Sequence, residues 1–194
     1  MMSYAPLQRR RREGLTDYRS RKKAITSRAN LLVVRVSDKN VSSQFIKPRV
    51  SGDAVLSSAH SRQLRKLGWK GPMKSTPACY LLGLLAGKKA SESGVKDAVL
   101  YMGVDPFVRG SRVAAFVKGV IDAGVSVPMG EEALPSEERL TGKSTAEFAA
   151  RLAKEDEATY NRRFSALIGQ GFRPEDYPEH VEKVKGMIMS GTKG

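Results

Sequence analysis

Arg9, Arg10, Arg11 and Arg12 stand side by side, and Arg19, Arg21, Lys22 and Lys23 follow within the next eleven residues. Thr16, Asp17 and Tyr18 separate the two groups. A guanidinium is planar, stays charged at physiological pH and offers a fork of donors that matches two phosphate oxygens at once. Eight cations in the sixteen residues from Gln8 to Lys23 are therefore phosphate-binding chemistry. Tyr18 adds a ring able to stack on an unpaired base while its neighbours hold the backbone. Arg28 continues the same segment. The blander uses of such a tract are a solvated tail, a nuclear import signal or contact with an anionic membrane surface, and these need charge alone.

The charge is local. Residues 1–50 hold 13 Lys and Arg against 3 Asp and Glu, residues 51–142 hold 12 against 9, and residues 143–194 hold 9 against 8. Ten of the 14 net positive charges thus sit in the first quarter of a 194-residue chain, a basic arm on a nearly balanced body. A polyanionic partner follows, with RNA or DNA preferred over a lipid surface. Cys79 is the single cysteine, which excludes an internal disulfide and a cysteine-based zinc site and suits a reducing, cytosolic compartment. The start lacks the apolar core of a secretory signal. The longest apolar run, residues 78–87, falls short of the roughly 18 residues that span a bilayer.

The elements that must position these groups can be read from period and punctuation. Residues 1–29 carry no apolar period, which predicts an arm that is disordered when free. Leu31 to Val36 and Val41 to Ile46 read as two strands joined by the turn residues Ser37, Asp38, Lys39 and Asn40, hence a β-hairpin. Residues 54–59 read as a third strand. Thr76 as cap and Pro77 in the first turn open a buried helix running to about Ser91, with Gly83 and Gly87 spaced for close backbone approach. Residues 97–104 read as a strand, and 125–128 as a short edge strand. Ser111 caps a second helix whose Val113, Phe116, Val117, Val120 and Ile121 form one apolar stripe. Residues 129–143 read as a polar linker. A capping box from Ser144 to Glu147 starts a helix carrying Phe148, Leu152 and Phe164 on one side. A last helix enters at Pro178, with Val181, Val184 and Ile188 as a thin stripe docked on another surface rather than free. The expected organisation is an arm (1–29), an α/β core (30–128), a linker (129–143) and a C-terminal helical extension (144–194). The class is α/β, a mixed sheet with helices packed on it.

Catalytic constellations are missing. TGKST at 141–145 resembles part of a phosphate-binding loop, but Glu137 stands where the first glycine belongs. The strands at 31–36, 41–46 and 54–59 carry no carboxylate to hold a divalent metal. Cys79 lies on a buried helix without a base. His60 follows a strand alone, able to meet RNA or an internal carbonyl. At the hairpin, Arg35, Ser37, Lys39 and Asn40 gather donors at one end of the sheet. The motifs favour a binder, the alternative being an RNA-processing enzyme.

Five blocks in order, RRRREGLTDYRSRKKAI, LLVVRVSDKNVSSQFI, LSSAHSRQLRKLGWKG, TPACYLLGLLAGKKA and GSRVAAFVKGVIDAGVSVP, resemble the archaeal form of the large-subunit ribosomal protein eighteen family, whose eukaryotic counterpart is called large-subunit protein five. The tail LAKEDEATYNRRFSALI with RPEDYPEHVEKV is similar too. The resemblance implies a three-layer core of ribonuclease H-like topology without catalysis. It implies binding of 5S rRNA and its attachment to large-subunit rRNA in the central protuberance. Partners implied are these RNAs and neighbouring large-subunit ribosomal proteins, with no cofactor, metal, membrane or small-molecule substrate. The RNA-contacting positions map onto Arg9 to Arg12, Thr16, Tyr18, Arg19, Arg21 to Lys23, Arg28 and the hairpin residues Arg35, Ser37, Lys39 and Asn40. The loop with Arg109, Ser111 and Arg112 is a further site, although Phe107, Val108 and Arg109 are bulkier there than the family leads one to expect.

Overall fold

The structure is a computed structural model that describes residues 6–191; the first five residues of the expected arm and the last three of the C-terminal extension lie outside it. In chain order its elements are α1 (Arg9–Arg12), α2 (Tyr18–Ser27), β1 (Leu31–Val36), β2 (Val41–Lys47), β3 (Ala54–His60), α3 (Gln63–Lys66), α4 (Thr76–Glu92), β4 (Val99–Tyr101), α5 (Arg112–Asp122), α6 (Glu137–Thr141), α7 (Lys143–Glu155), α8 (Glu157–Ile168) and α9 (Tyr177–Ser190). The strands form one mixed sheet in the order β3-β2-β1-β4, antiparallel except for the parallel β1–β4 pair. The chain is therefore α/β, as expected. No described helix is long and apolar enough to cross a membrane.

The sheet has two chemically different faces because side chains alternate along a strand. Leu32, Val34, Val41 and Phe45 point inward to a core shared with Leu81, Leu82 and Leu84 of α4 and Phe116, Val117 and Val120 of α5. The helices α4 and α5 meet closely enough that a Cβ on Gly83 would collide with the Phe116 carbonyl, and one on Gly119 with the Tyr80 carbonyl. On the outer face, Leu31 and Ile46 bury against Ala24 of α2, with Val33 and Tyr101 alongside. Three layers result: α2, sheet, then α4 with α5.

The C-terminal helices join the main core. Val181, Val184 and Ile188 of α9 are buried in the same cluster as α4, so the thin stripe docks on this chain's own helix. Lys88 of α4 donates to the carbonyls of Ile188 (2.9 Å) and Met189 (3.1 Å), satisfying the open end of α9.

Several expectations need correction. The arm is helical at residues 9–12 and 18–27, because Asp17 caps α2 by accepting from the Arg19 N–H (2.9 Å) and Ala24 gives that helix a buried contact. Ser75, not Thr76, caps α4. The fourth strand is three residues long, since Gly103 turns the chain at φ +72°. Ser126 makes only an isolated bridge to Asp97. The linker contains a 3-10 turn at Glu131–Ala133 and all of α6. Gly142, at φ +79°, turns the corner into α7, so Ser144 lies inside the first turn and caps nothing. Asp156 breaks the next helix and caps α8 through Thr159.

Candidate nucleic-acid interface

Arg21 explains how the arm is held. Its guanidinium grips Asp53, at the start of the β3 segment, with two parallel bonds of 2.7 and 2.5 Å and reaches the Arg49 carbonyl at 3.5 Å. That pair lowers the Asp53 carboxyl below its ordinary range. Asp17 is likewise lowered, first by the Ser20 hydroxyl and then by the Arg19 N–H. The helix α2 is therefore pinned to the sheet at its first turn and by Ala24, and its other side faces outward. Tyr18, Arg19, Lys22 and Lys23 are exposed on it. Arg28 ends the helix at φ +55° with its side chain exposed.

Within α1 all four arginines are exposed. Arg9 pairs loosely with Glu13 (3.6 Å) and Arg10 donates to Thr16 Oγ1 (2.9 Å), which ties the two halves of the arm. Arg11 and Arg12 have no ion-pair partner among the described residues.

The hairpin tip is built by two of its own predicted contact residues. The Ser37 hydroxyl donates to the Asn40 carbonyl (2.9 Å) and accepts from its N–H (3.1 Å), while Asn40 Oδ1 accepts from Ser61 (3.2 Å). Lys39 stays exposed at the tip. Arg35 lies on the outer face and is held by Asp105 (2.7 Å) and the Met102 carbonyl (3.0 Å).

Register places more polar groups beside Arg35. Arg35 pairs with Ser42, Ser42 with His60, and Gln44 with Ser58. These residues line a shallow depression of about 320 Å³ on the outer face. The half of that face next to α2 is apolar and covered; the half towards the hairpin tip is polar and open. Apart from Arg35, and His60 as a lone residue able to meet RNA or an internal carbonyl, this patch went unread in the sequence, although polar residues two apart at 42 and 44 and at 58 and 60 are its signal. His60 Nδ1 accepts from the Arg62 N–H (3.1 Å), which fixes the ring at the end of β3.

Arg109, Ser111 and Arg112 stand apart from this surface. Arg109 pairs with Glu132 (3.7 Å), the Ser111 side chain caps α5, and Arg112 lines a different concavity with Lys74 and Arg139. TGKST makes the α6–α7 corner, where Lys143 pairs with Glu138 and Glu147. Among the described residues no cluster of His, Cys, Asp and Glu has the arrangement of a metal site.

A family described as ribosomal large subunit proteins 60S L5 and 50S L18 matches residues 3–95, which hold the arm, the hairpin, β3 and α4. The chain is 46% identical over 180 residues to the large ribosomal subunit protein uL18 of Methanothermobacter thermautotrophicus, covering 93% of this chain and 92% of that protein. It is 45% identical over 186 residues to the uL18 of Aeropyrum pernix, covering 95% and 87%. The chain belongs to the uL18 family. The likeness to uL18 runs well past the C-terminal boundary of the family match, in keeping with α6 to α9 sharing the main core. uL18 proteins are structural proteins of the ribosome, and this one is not an enzyme.

Proposed function

We propose that this protein, a structural constituent of the large ribosomal subunit in the cytoplasm, binds 5S rRNA and helps attach it to the large-subunit rRNA in the central protuberance. The observation that carries this reading is the convergence on one side of the sheet of the exposed cations of α2, the open polar half of the outer face and the hairpin tip. Arg11, Arg12, Arg19, Lys22, Lys23 and Lys39 are the charges free to meet phosphates. Arg35, Ser42, Gln44, Ser58 and His60 offer donors to sugars and bases beside them. Phosphate contacts set position; Tyr18 and the outer-face donors select the site.

The arm (residues 1–29) then works from a helix already capped and pinned, which reduces the ordering cost of about 1–2 kcal/mol per backbone residue. The core (30–128) presents the sheet. The segment 129–143 and the C-terminal helices brace α4 from the other side. Neighbouring large-subunit ribosomal proteins complete the set of partners. The competing reading, an RNA-processing enzyme, has no metal-binding group among the described residues to work with.

The test replaces Arg9 to Arg12 with alanine and titrates a 5S rRNA transcript at several salt concentrations. Affinity should fall, and the slope of log affinity against log salt should flatten by about 1.5, at roughly 0.7–0.9 for each of the two free arginines, Arg11 and Arg12. Tyr18→Ala should cost on the order of 1–3 kcal/mol and Tyr18→Phe little, if the ring stacks on a base. An unchanged salt slope would remove the arm from the interface.

A further inference from the structure

We propose that the helical side of the molecule carries a second RNA-backbone site, a cationic groove running from the hairpin tip to α6, which takes a large-subunit rRNA segment while 5S rRNA occupies the outer sheet face. The proposal rests on the proposed function for both occupants, 5S rRNA on the outer face and large-subunit rRNA in the groove.

Two concavities make the groove. One, of about 1090 Å³, lies between the hairpin tip, the 68–75 segment and α8. The other, of about 410 Å³, lies where the first turns of α4 and α5 meet the α6–α7 corner. They share Lys74, Ser75, Thr145 and Tyr177, so the two concavities adjoin. Seven cations line it against one carboxylate, Asp38. That concentration is not a reflection of bulk composition, because residues 51–194 carry 21 Lys and Arg against 17 Asp and Glu. The carboxylates have been placed elsewhere.

The charges are also unspent. Lys70, Lys74, Arg112 and Arg139 have no ion-pair partner among the described residues. Glu138, next to Arg139 in sequence, is turned to Lys143 at 4.0 Å. Ser144 and Thr145 bring hydroxyl donors into the same pocket. Like charges crowded without counter-charges repel one another, and a bound polyanion relieves that repulsion while releasing its own counterions.

The groove suits a nucleic-acid backbone better than an acidic peptide. Of the three aromatic residues that line it, Trp69 and Tyr177 are 2% and 3% exposed and sealed into the core, which leaves the half-buried Phe164 of α8 as the one ring open to an apolar side chain. No sheet edge lines it for strand addition. Except at the hairpin tip, where Lys39 is common to both surfaces, the sheet separates the groove from the outer face, since the inner-facing Leu32, Val34 and Phe45 pack on the helical layer. Two RNA segments can therefore be held at once.

The experiment uses the full chain with Lys70→Glu, Lys74→Glu and Arg139→Glu combined, and a milder version with Gln at the same three positions. Circular dichroism and thermal unfolding select the version that folds. Two RNA titrations follow, 5S rRNA transcript alone and then capture of large-subunit rRNA transcript by protein saturated with 5S rRNA, with a polyglutamate titration as the acidic-peptide control. Capture should weaken at least tenfold, with a salt slope lower by about 2 for three lost contacts, while 5S affinity stays within twofold. Undiminished capture overturns the proposal. Equal loss in both titrations also overturns it, because the groove would then be part of the 5S surface. So does loss of polyglutamate binding with rRNA capture intact, which would assign the groove to an acidic protein. If wild-type protein ignores 5S rRNA yet binds large-subunit rRNA alone through these three residues, the 5S reading fails and the groove stands.

Discussion

Replacing Asp53 with alanine isolates what holds the arm helix. Asp53 and Arg21 meet through two charge-assisted bonds of 2.7 and 2.5 Å, with side chains 27% and 25% exposed. A hydrogen bond to a charged partner is worth about 1.5–3 kcal/mol when buried, whereas exposed ion pairs give about 0.2–1. Partial exposure puts this bidentate pair near 1 kcal/mol. The other anchors of α2 are the small Ala24 contact and the Asp17 cap, so most of the loss falls on local opening of the helix rather than on global unfolding. One kcal/mol is about a fivefold change in an opening equilibrium. Amide hydrogen exchange should therefore speed up about fivefold at residues 21–27 in Asp53→Ala, with β1 and α4 unchanged. Acid should imitate the substitution. Asp53 has a lowered carboxyl, so its contribution is complete above the ordinary value of 3.8 and fades as pH falls through the folded value below it. If exchange in α2 is the same in wild type and variant, Arg21 is an incidental contact and the arm is positioned some other way.

Three further outcomes follow from the packing. Gly83→Ala drives a Cβ into the Phe116 carbonyl and should cost about 3 kcal/mol, lowering Tm by roughly 6–12 °C, whereas Gly186→Ala, in open space on α9, should be neutral or stabilising by up to about 1 kcal/mol. His180 stacks on Trp69 (5.1 Å), and its Nε2 accepts from the Lys70 N–H (3.2 Å); burial, then Lys70 and Lys183, lowers its pKa. The unfolded chain takes up that proton first, so thermal stability should be full above about pH 6.5 and decline as pH falls below it, and His180→Asn should flatten the dependence between pH 7 and 5. Burial pushes the Cys79 thiol up to about 12, so a thiol reagent should leave native protein untouched at pH 8 and label it at the rate of global opening.

Much of the core was legible because burial enforces period. The hairpin followed from β-branched runs around Ser37 to Asn40, and α5 from its stripe at Val113, Phe116, Val117 and Val120. What escaped notice was decided by single residues without a period. In α2, one cap and one buried alanine suffice once Arg21 is paired, and no stripe betrays them. In the 129–143 segment, Ser136 before Glu137 and Glu138 is helix-start chemistry hidden in a polar run. The box from Ser144 to Glu147 misled because Gly142 had already turned the corner. The polar half of the outer face needed register, since only pairing shows that Arg35, Ser42 and His60 are neighbours across three strands. Arg112 went to the groove rather than the arm side because α5 runs beside α4, a tertiary fact that no local pattern carries.

The cations of the arm and hairpin therefore divide by task, and the division is testable in the form of a salt dependence. Arg21 and Arg35 are already bound to Asp53 and Asp105, one pinning α2 and the other holding the loop after β4 against the sheet. Their loss should lower affinity by misplacing neighbours. A misplaced surface binds less well at every salt concentration, so the slope should barely move. Arg11, Arg12, Lys22 and Lys23 hold nothing in the protein, so each should reduce the slope by its own counterion share when removed. Arg21→Lys separates the two accounts: it keeps the charge but breaks the fork that fits a carboxylate, and should behave as a positioning defect despite conserving net charge.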